Sequence, residues 1–315
     1  MNLLKNFLLF CSTNSWMKNS LPKYRFVQKA VKRFMPGEDV ESALVEANKY
    51  SANNITTVLT CLGENISELK EGENVRNHYL EVLEKISSQR IPSEISIKLT
   101  QLGFDMNEET TLQNVRALCL KAKEKNNFVW IDIESSPYVT RTVNFYKAIH
   151  GEFENVGLCL QAYLYRTKDD LENLLSISPS IRLVKGAYKE SSDVAFPNKS
   201  DVDKNFVLLS EMLLKVRMDS FGTIPNSVQR IGIGTHDETI HEYIKMFAKK
   251  NNIPNDAFEF QMLYGIKNNV QMKLANEGYK VRALISYGSY WFPWYMRRLA
   301  ERPANVWFVV KSMIS

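Results

Sequence analysis

The sequence predicts an α/β protein, a TIM-type (βα)8 barrel preceded by a helical extension at residues 1–50. Short β-branched or apolar runs recur eight times along the chain, and charged amphipathic stretches of helical length separate them. A parallel sheet made of such βα units must bury both faces, and eight strands do so most simply by closing on themselves. Composition agrees, since 315 residues of which 44% are hydrophobic and 24% charged supply a large core and argue against disorder. An open doubly wound sheet is the alternative. No Gly-x-Gly-x-x-Gly follows the first run, which lowers the dinucleotide-fold reading without excluding it.

Taken in order, residues 15–50 read as helical, with aromatic anchors at Trp16, Tyr24, Phe26 and Phe34. Pro36-Gly37-Glu38-Asp39 interrupts that stretch, and Asp39 suits the N-cap of the next helix. Strands are expected at 56–59, 95–99, 128–133, 156–160, 181–184, 230–234, 258–262 and 281–285. Between them, 108–125 brings Leu112, Val115, Leu118 and Cys119 onto one helical face, and 205–217 is a second such stretch. A last helix is expected to start near Pro293, and the barrel is expected to occupy 51–315.

Several function classes lose support. The net charge of +5 arises from 40 basic and 35 acidic residues spread over the chain, and pairs such as Lys249-Lys250 read as solvated helix faces, so no nucleic-acid partner is expected. Cys11, Cys61, Cys119 and Cys159 are scattered without a Cys-x-x-Cys pair, which favours a reducing compartment, the cytoplasm by default. The apolar run 1–11 is broken by Lys5 and Asn6 and is too short to span a bilayer; a leading helix packed on the body is the simpler reading, a membrane-surface contact the sharper one. Among His78, His150, His236 and His241 no pair has metal-ligand spacing on a strand end, so no metal site is expected. Neither Gly-x-Ser-x-Gly nor a P-loop is present.

Barrels place their chemistry at the C-terminal ends of the strands. There the sequence offers Gly63-Glu64, Lys98, Asp132-Ile133-Glu134, Gln161, Arg182 with Lys185, Thr235-His236-Asp237 and Gln261. Each alone has an ordinary explanation: Lys98 reaches solvent, Asp132 caps a helix, His236 is a satisfied structural histidine. A polar group on strand after strand of an apolar framework is costly unless a polar ligand pairs with the set. In the last segment, Arg297 and Arg298 follow an aromatic cluster that includes Tyr290, Trp291, Phe292 and Trp294. Arg297 could form a surface pair with Glu301; the functional reading is a carboxylate clamp, made by guanidinium forks with aromatic neighbours excluding water.

Over roughly residues 20–310 the chain resembles the proline dehydrogenase family. The resemblance is carried by Leu62-Gly63-Glu64, Ile95-Ser96-Ile97-Lys98-Leu99-Thr100-Gln101-Leu102-Gly103, Ile131-Asp132-Ile133-Glu134-Ser135-Ser136-Pro137-Tyr138 and Leu160-Gln161-Ala162-Tyr163. It continues in Arg182-Leu183-Val184-Lys185-Gly186-Ala187-Tyr188, Gly234-Thr235-His236, Glu259-Phe260-Gln261-Met262-Leu263-Tyr264-Gly265 and Met296-Arg297-Arg298-Leu299-Ala300-Glu301-Arg302-Pro303.

The resemblance implies an FAD-dependent oxidation of L-proline to 1-pyrroline-5-carboxylate by hydride transfer to flavin, with a quinone as electron acceptor. It implies that Lys98, Arg297 and Arg298 hold the substrate carboxylate, that Glu64 pairs with the arginines, and that Leu263 walls the substrate ring. Asp132 and Arg182 take the catalytic positions, and FAD is expected against Ile133, Gln161, Arg182, Lys185, Gly186, Ala187, Thr235 and His236. A quinone acceptor implies at most a peripheral contact with the inner face of a membrane, through residues 1–11 or the apolar tail 306–313; packing of the tail on the barrel is the plainer expectation. The chain is expected to act as a stand-alone enzyme, without the aldehyde dehydrogenase module that some relatives carry.

Four positions depart from the family pattern. Leu284, Ser286, Tyr290 and Trp294 stand where the family usually has Tyr, Pro, Asp and Tyr. The resemblance implies that the first and last positions face the substrate ring, so losing both hydroxyls opens a second reading: a flavoenzyme of the same family acting on a hydroxylated or N-substituted proline analogue. A non-catalytic binder that retains the fold is a third, which the complete polar set disfavours.

Overall fold

The computed structural model describes residues 31–63, 66–219 and 230–301, with the side chains at 217–219, 297–298 and 300–301 outside that description. In chain order it contains α1 (Val40–Ser51), β1 (Thr56–Cys61), α2 (Leu69–Ser88), β2 (Ser93–Ile97), α3 (Glu108–Glu124), β3 (Val129–Ile131), α4 (Val139–His150), β4 (Val156–Gln161) and α5 (Thr167–Leu175). It continues with β5 (Ile181–Val184), α6 (Lys199–Asp219), β6 (Ile231–Gly234), α7 (Glu238–Lys250), β7 (Glu259–Leu263), α8 (Asn268–Asn276), β8 (Lys280–Tyr287) and α9 (Trp291–Glu301). The strands pair in sequential order into a closed barrel, all parallel, and β1 meets β8 along a seam running from Thr56↔Arg282 to Cys61↔Tyr287. The expected barrel is therefore present, and the open sheet is excluded.

Each expected run overlaps a strand. β2 starts earlier than expected and stops at Ile97, because the chain turns at Leu99 into a short 3-10 segment, Thr100–Leu102. Asp132 lies just past β3, yet its N–H donates to the Ile97 carbonyl at 2.8 Å and so prolongs the ladder. Asp39 caps α1 as expected, accepting from Ser42 N at 2.7 Å. Of the expected N-terminal extension, residues 1–30, including Trp16, Tyr24 and Phe26, lie outside the described residues. The remainder is tied to the end of the chain, since Phe34 is buried with its ring 5.9 Å from that of Tyr295 on α9.

Alternation along the strands divides the barrel into two environments. Leu59, Ile95, Ile131, Leu158, Leu183 and Phe260 pack outward against Leu83 of α2, Leu118 of α3, Tyr146 of α4, Phe206 of α6 and Ile244 of α7. Burying a side chain of that size stabilises the fold by about 1.5–3 kcal/mol, and this layer is the main core. The inward set is largely polar. Toward the N-terminal ends of the strands, Glu94, Arg230, Glu259 and Arg282 form a closed ring of charge: Arg230 lies 2.7 Å from Glu94 and 3.3 Å from Glu259, and Arg282 lies 3.1 Å from Glu259 and 3.2 Å from Glu94. Its two positive and two negative groups cancel, which makes burial tolerable.

Candidate active site

The inward residues one layer above that ring come from β2, β3 and β5. Ser96, Asp132 and Arg182 meet in the barrel although they are far apart in sequence. Asp132 Oδ1 accepts from Ser96 Oγ at 2.8 Å and from Arg182 Nη1 at 3.0 Å, while Oδ2 lies 3.5 Å from Lys98 Nζ. Arg182 Nη1 also donates to Ser96 Oγ at 3.1 Å. The guanidinium is only 3% exposed, and its Nε and Nη2 have no partner among the described residues. Two cations share one carboxylate here, so the cluster carries an excess positive charge with buried donors still to be satisfied. Such a site suits an anionic or carbonyl-bearing ligand.

Around the mouth, Gln161 ends β4 with its Oε1 buried and without a hydrogen-bond partner among the described residues, and Ser286 Oγ on β8 is in the same condition. Gly186, in the loop after β5, has φ +122°, and a Cβ there would lie 2.3 Å from the Tyr163 ring, so a side chain would push the loop off that ring. Ala187 follows in the same loop, half-buried. Lys185 pairs with Asp203 and, at 3.1 Å, with Asp237, and Lys199 pairs with both carboxylates. Burial opposes ionisation of Asp237, but Lys185 and Lys199 outweigh it and hold the carboxyl below its ordinary range.

His236 Nε2 accepts from the Leu263 N–H at 2.9 Å, which requires the imidazole proton to sit on Nδ1. Thr235 is buried, its Oγ1 accepting from Asp237 N at 3.2 Å and its carbonyl bonded to His241 Nε2 at 2.9 Å. Burial lowers the His241 pKa, which keeps that ring neutral at pH 7. Ile133 is buried in the core between sheet and helices. Leu263 packs at the edge of the apolar cluster formed by Phe34, Trp291, Trp294 and Tyr295.

Leu284 lies inside the barrel against Val58, Phe128 and Trp130, whereas Tyr290 is 57% exposed. Glu64 and the side chains of Arg297 and Arg298 lie outside the described residues; the backbone of both arginines belongs to α9. A cleft of about 880 Å3 also opens between α1, α2 and the segment after β8, lined among others by Glu38, Glu71, His78, Gln101 and Tyr287. Lys98, Asp132 and Arg182 do not line it. Among the described residues, no group of three or more His, Cys, Asp and Glu side chains could hold a metal ion.

Reading the strand ends brought out Lys98, Asp132 and Arg182 but missed Ser96, Trp130 and the ring beneath them. A period of two supplies the signal: stepping back from Lys98 gives Ser96 and Glu94, and stepping back from Asp132 gives Trp130.

The family model for proline dehydrogenase matches residues 43–311. The chain belongs to the proline dehydrogenase family. It is 36% identical over 312 residues to proline dehydrogenase 1 of Bacillus subtilis subsp. natto, covering 99% of each chain. To a proline dehydrogenase of Deinococcus radiodurans it is 38% identical over 287 residues, covering 90% of this chain and 89% of the relative. Among solved structures it is similar to proline utilization A from Bdellovibrio bacteriovorus inactivated by N-propargylglycine, with a TM-score of 0.81, 23% identity, and coverage of 95% of this chain and 36% of that one. A bifunctional proline utilization A protein gives a TM-score of 0.70 at 20% identity, covering 90% of this chain and 31% of that chain. The chain thus spans about a third of the length of these structures and shares with them the barrel fold. Membership makes the chain an oxidoreductase, a proline dehydrogenase by class.

Proposed function

We propose that this enzyme oxidises L-proline to 1-pyrroline-5-carboxylate with FAD as cofactor and passes the electrons to a quinone. The observation that carries the reading is the Lys98–Asp132–Arg182 cluster, with two buried guanidinium nitrogens left unpartnered at the barrel mouth. The orphaned donors of Arg182 and the orphaned acceptor of Gln161 fit a flat ring system with carbonyl and N–H groups along its edge, and Gly186 leaves room for such a group beside Tyr163. Gln161, Arg182, Lys185, Gly186, Ala187, Thr235, His236 and Ile133 are the residues that would hold FAD. When bound, FAD supplies the two-electron acceptor for oxidation of the CH–NH unit.

The chain's own residues supply binding and orientation. Lys98, with Arg297 and Arg298, holds the substrate carboxylate, Glu64 pairs with the arginines, and Leu263 walls off water beside the ring. Fixing the carboxylate aligns the reacting carbon, which is where binding energy serves rate. Asp132 keeps Lys98 and Arg182 in register through its two oxygens. With FAD bound, Arg182 would supply a fixed cation to offset the negative charge that the flavin takes up. No helix among the described residues is long and apolar enough to cross a membrane. A quinone acceptor calls for peripheral contact at the inner face of a membrane, reached from the cytoplasm. The division expected at residue 50 falls partly on residues 1–30 and 302–315, which lie outside the described residues.

A second reading, oxidation of a hydroxylated or N-substituted proline analogue, is favoured by Leu284, an aliphatic side chain in the barrel interior against Trp130. Restoring Tyr at both Leu284 and Trp294 is expected to change the ratio of kcat/KM for proline and its analogues; an unchanged ratio removes this reading. The primary test is anaerobic titration of the FAD-loaded protein with L-proline. Bleaching of the oxidised flavin band is expected; flavin that stays oxidised with proline but bleaches with an analogue selects the second reading, and protein that takes up no FAD refutes both.

A further inference from the structure

Arg182 reaches its position on an aromatic support. Its Cζ lies 4.7 Å from the centroid of Trp130, a side chain with no solvent exposure. The indole Nε1 donates to Glu94 Oε2 at 2.8 Å, so the ring plane is pinned to one member of the charge ring. Arg230, another member, approaches the same indole with its Cζ 5.3 Å from the centroid. Room for so large a side chain comes from the neighbouring strand: Trp130 is in register with Gly157, and a Cβ at Gly157 would lie 2.6 Å from the indole.

The arrangement answers a specific need. Among the described residues Arg182 makes hydrogen bonds through Nη1 alone, to Ser96 and Asp132, and these bonds by themselves do not support the Nε and Nη2 edge of the guanidinium. A flat aromatic face beneath it does. The contact is also electrostatically favourable, because the face of an indole attracts a cation most strongly where water is absent.

We propose that Trp130 is a positioning residue, seating the Arg182 guanidinium and linking it through Glu94 to the ring of charge at the barrel base. This rests on the role given to Arg182 above. Trp130 touches neither substrate nor cofactor in this account; it fixes the plane in which the free Nε and Nη2 of Arg182 are presented. Glu94 orients the indole and Gly157 makes space for it.

The test uses the FAD-loaded enzyme and compares Trp130→Phe, Trp130→Leu and Arg182→Gln with the two double variants, measuring kcat/KM for L-proline and the midpoint potential of the bound flavin. Trp130→Phe keeps an aromatic face and loses the Glu94 bond, and its thermal melt reports whether the fold is retained. Trp130→Leu is expected to lower kcat/KM about tenfold, with Trp130→Phe in between, and to move the flavin potential in the same direction as Arg182→Gln. On the Arg182→Gln background the Trp130 substitutions are expected to shift the potential no further. Equal losses in the Phe and Leu variants, or equal shifts with and without Arg182, overturn the proposal. If Arg182→Gln alone leaves both kcat/KM and potential unchanged, the role of Arg182 fails first and the inference falls with it.

Discussion

Replacing Glu259 by Gln tests the charge ring beneath the site. In the wild type its carboxylate accepts from Arg282 Nε at 3.1 and 3.2 Å, from Arg230 Nη2 at 3.3 Å to each oxygen, and from Gln261 Nε2. Burial opposes ionisation of Glu259, but Arg282 and Arg230 outweigh it and hold its carboxyl well below the usual carboxylate range. The substitution keeps the side chain's shape and leaves the buried Arg282 and the partly buried Arg230 with Glu94 as their one shared carboxylate among the described residues. Removing one partner of a buried pair costs about 3–5 kcal/mol. With an unfolding entropy of about 2.1 cal/mol/K per residue, a chain of 315 residues has about 0.66 kcal/mol/K, so Tm is expected to fall by about 5–8 °C. Scanning calorimetry at pH 7 measures this, with Glu277→Gln as the control: Glu277 pairs with Lys245 at 2.8 Å on the surface, and its loss should cost less than about 1.5 °C. A Glu259→Gln shift no larger than the control's refutes the reasoning. A combined Glu259→Leu and Arg282→Met change, which removes one charge of each sign, is expected to recover part of the loss.

Asp132→Asn removes the carboxylate between Lys98 and Arg182 while keeping its volume; kcat/KM for proline is expected to fall at least about a hundredfold with FAD retained, read from steady-state kinetics and the flavin spectrum. Gly186→Ala puts a Cβ into the Tyr163 ring at a left-handed φ, and calorimetric titration of apoprotein should show FAD affinity down about tenfold. Asp237, with its folded pKa held below the ordinary 3.8, contributes stability that is complete above that value and lost as pH falls through the folded pKa. Urea unfolding of Asp237→Asn should therefore show a deficit at pH 7 that closes below about pH 3.8; a deficit that persists unchanged at pH 2.5 contradicts the ion-pair origin.

Much of the barrel is legible in the sequence because parallel strands buried on both faces appear as apolar runs between amphipathic helices. The cluster at the mouth is legible in part, since Lys98, Asp132 and Arg182 interrupt or end those runs. Three features show their strand face through the period of two at most, and not their partners. Glu94, Arg230, Glu259 and Arg282 each look like ordinary surface charges near the start of a strand, and only closure of the sheet sets them facing one another. Trp130 reads as another apolar strand residue, and nothing local says that Gly157 on the next strand vacates the space for it. Asp203, which pairs with Lys185, lies on α6 far from any strand end, so a search of the rim passes it by.

The seam between β1 and β8 bears on how the protein is made. Arg282 donates across it to the Thr57 carbonyl at 3.0 Å, over a separation of 225 residues. During synthesis β1 leaves the ribosome long before its partner exists, and Ser96, Asp132 and Arg182 are all translated while the sheet still has two open edges. Open edges invite pairing with other chains. Joining ends so distant in sequence delays the reward for the loop-closure entropy until the last strand arrives. A nascent chain truncated after β7 should therefore carry Ser96, Asp132 and Arg182 yet behave as a client of chaperones, and the final strand is the step that closes an adhesive intermediate into a barrel.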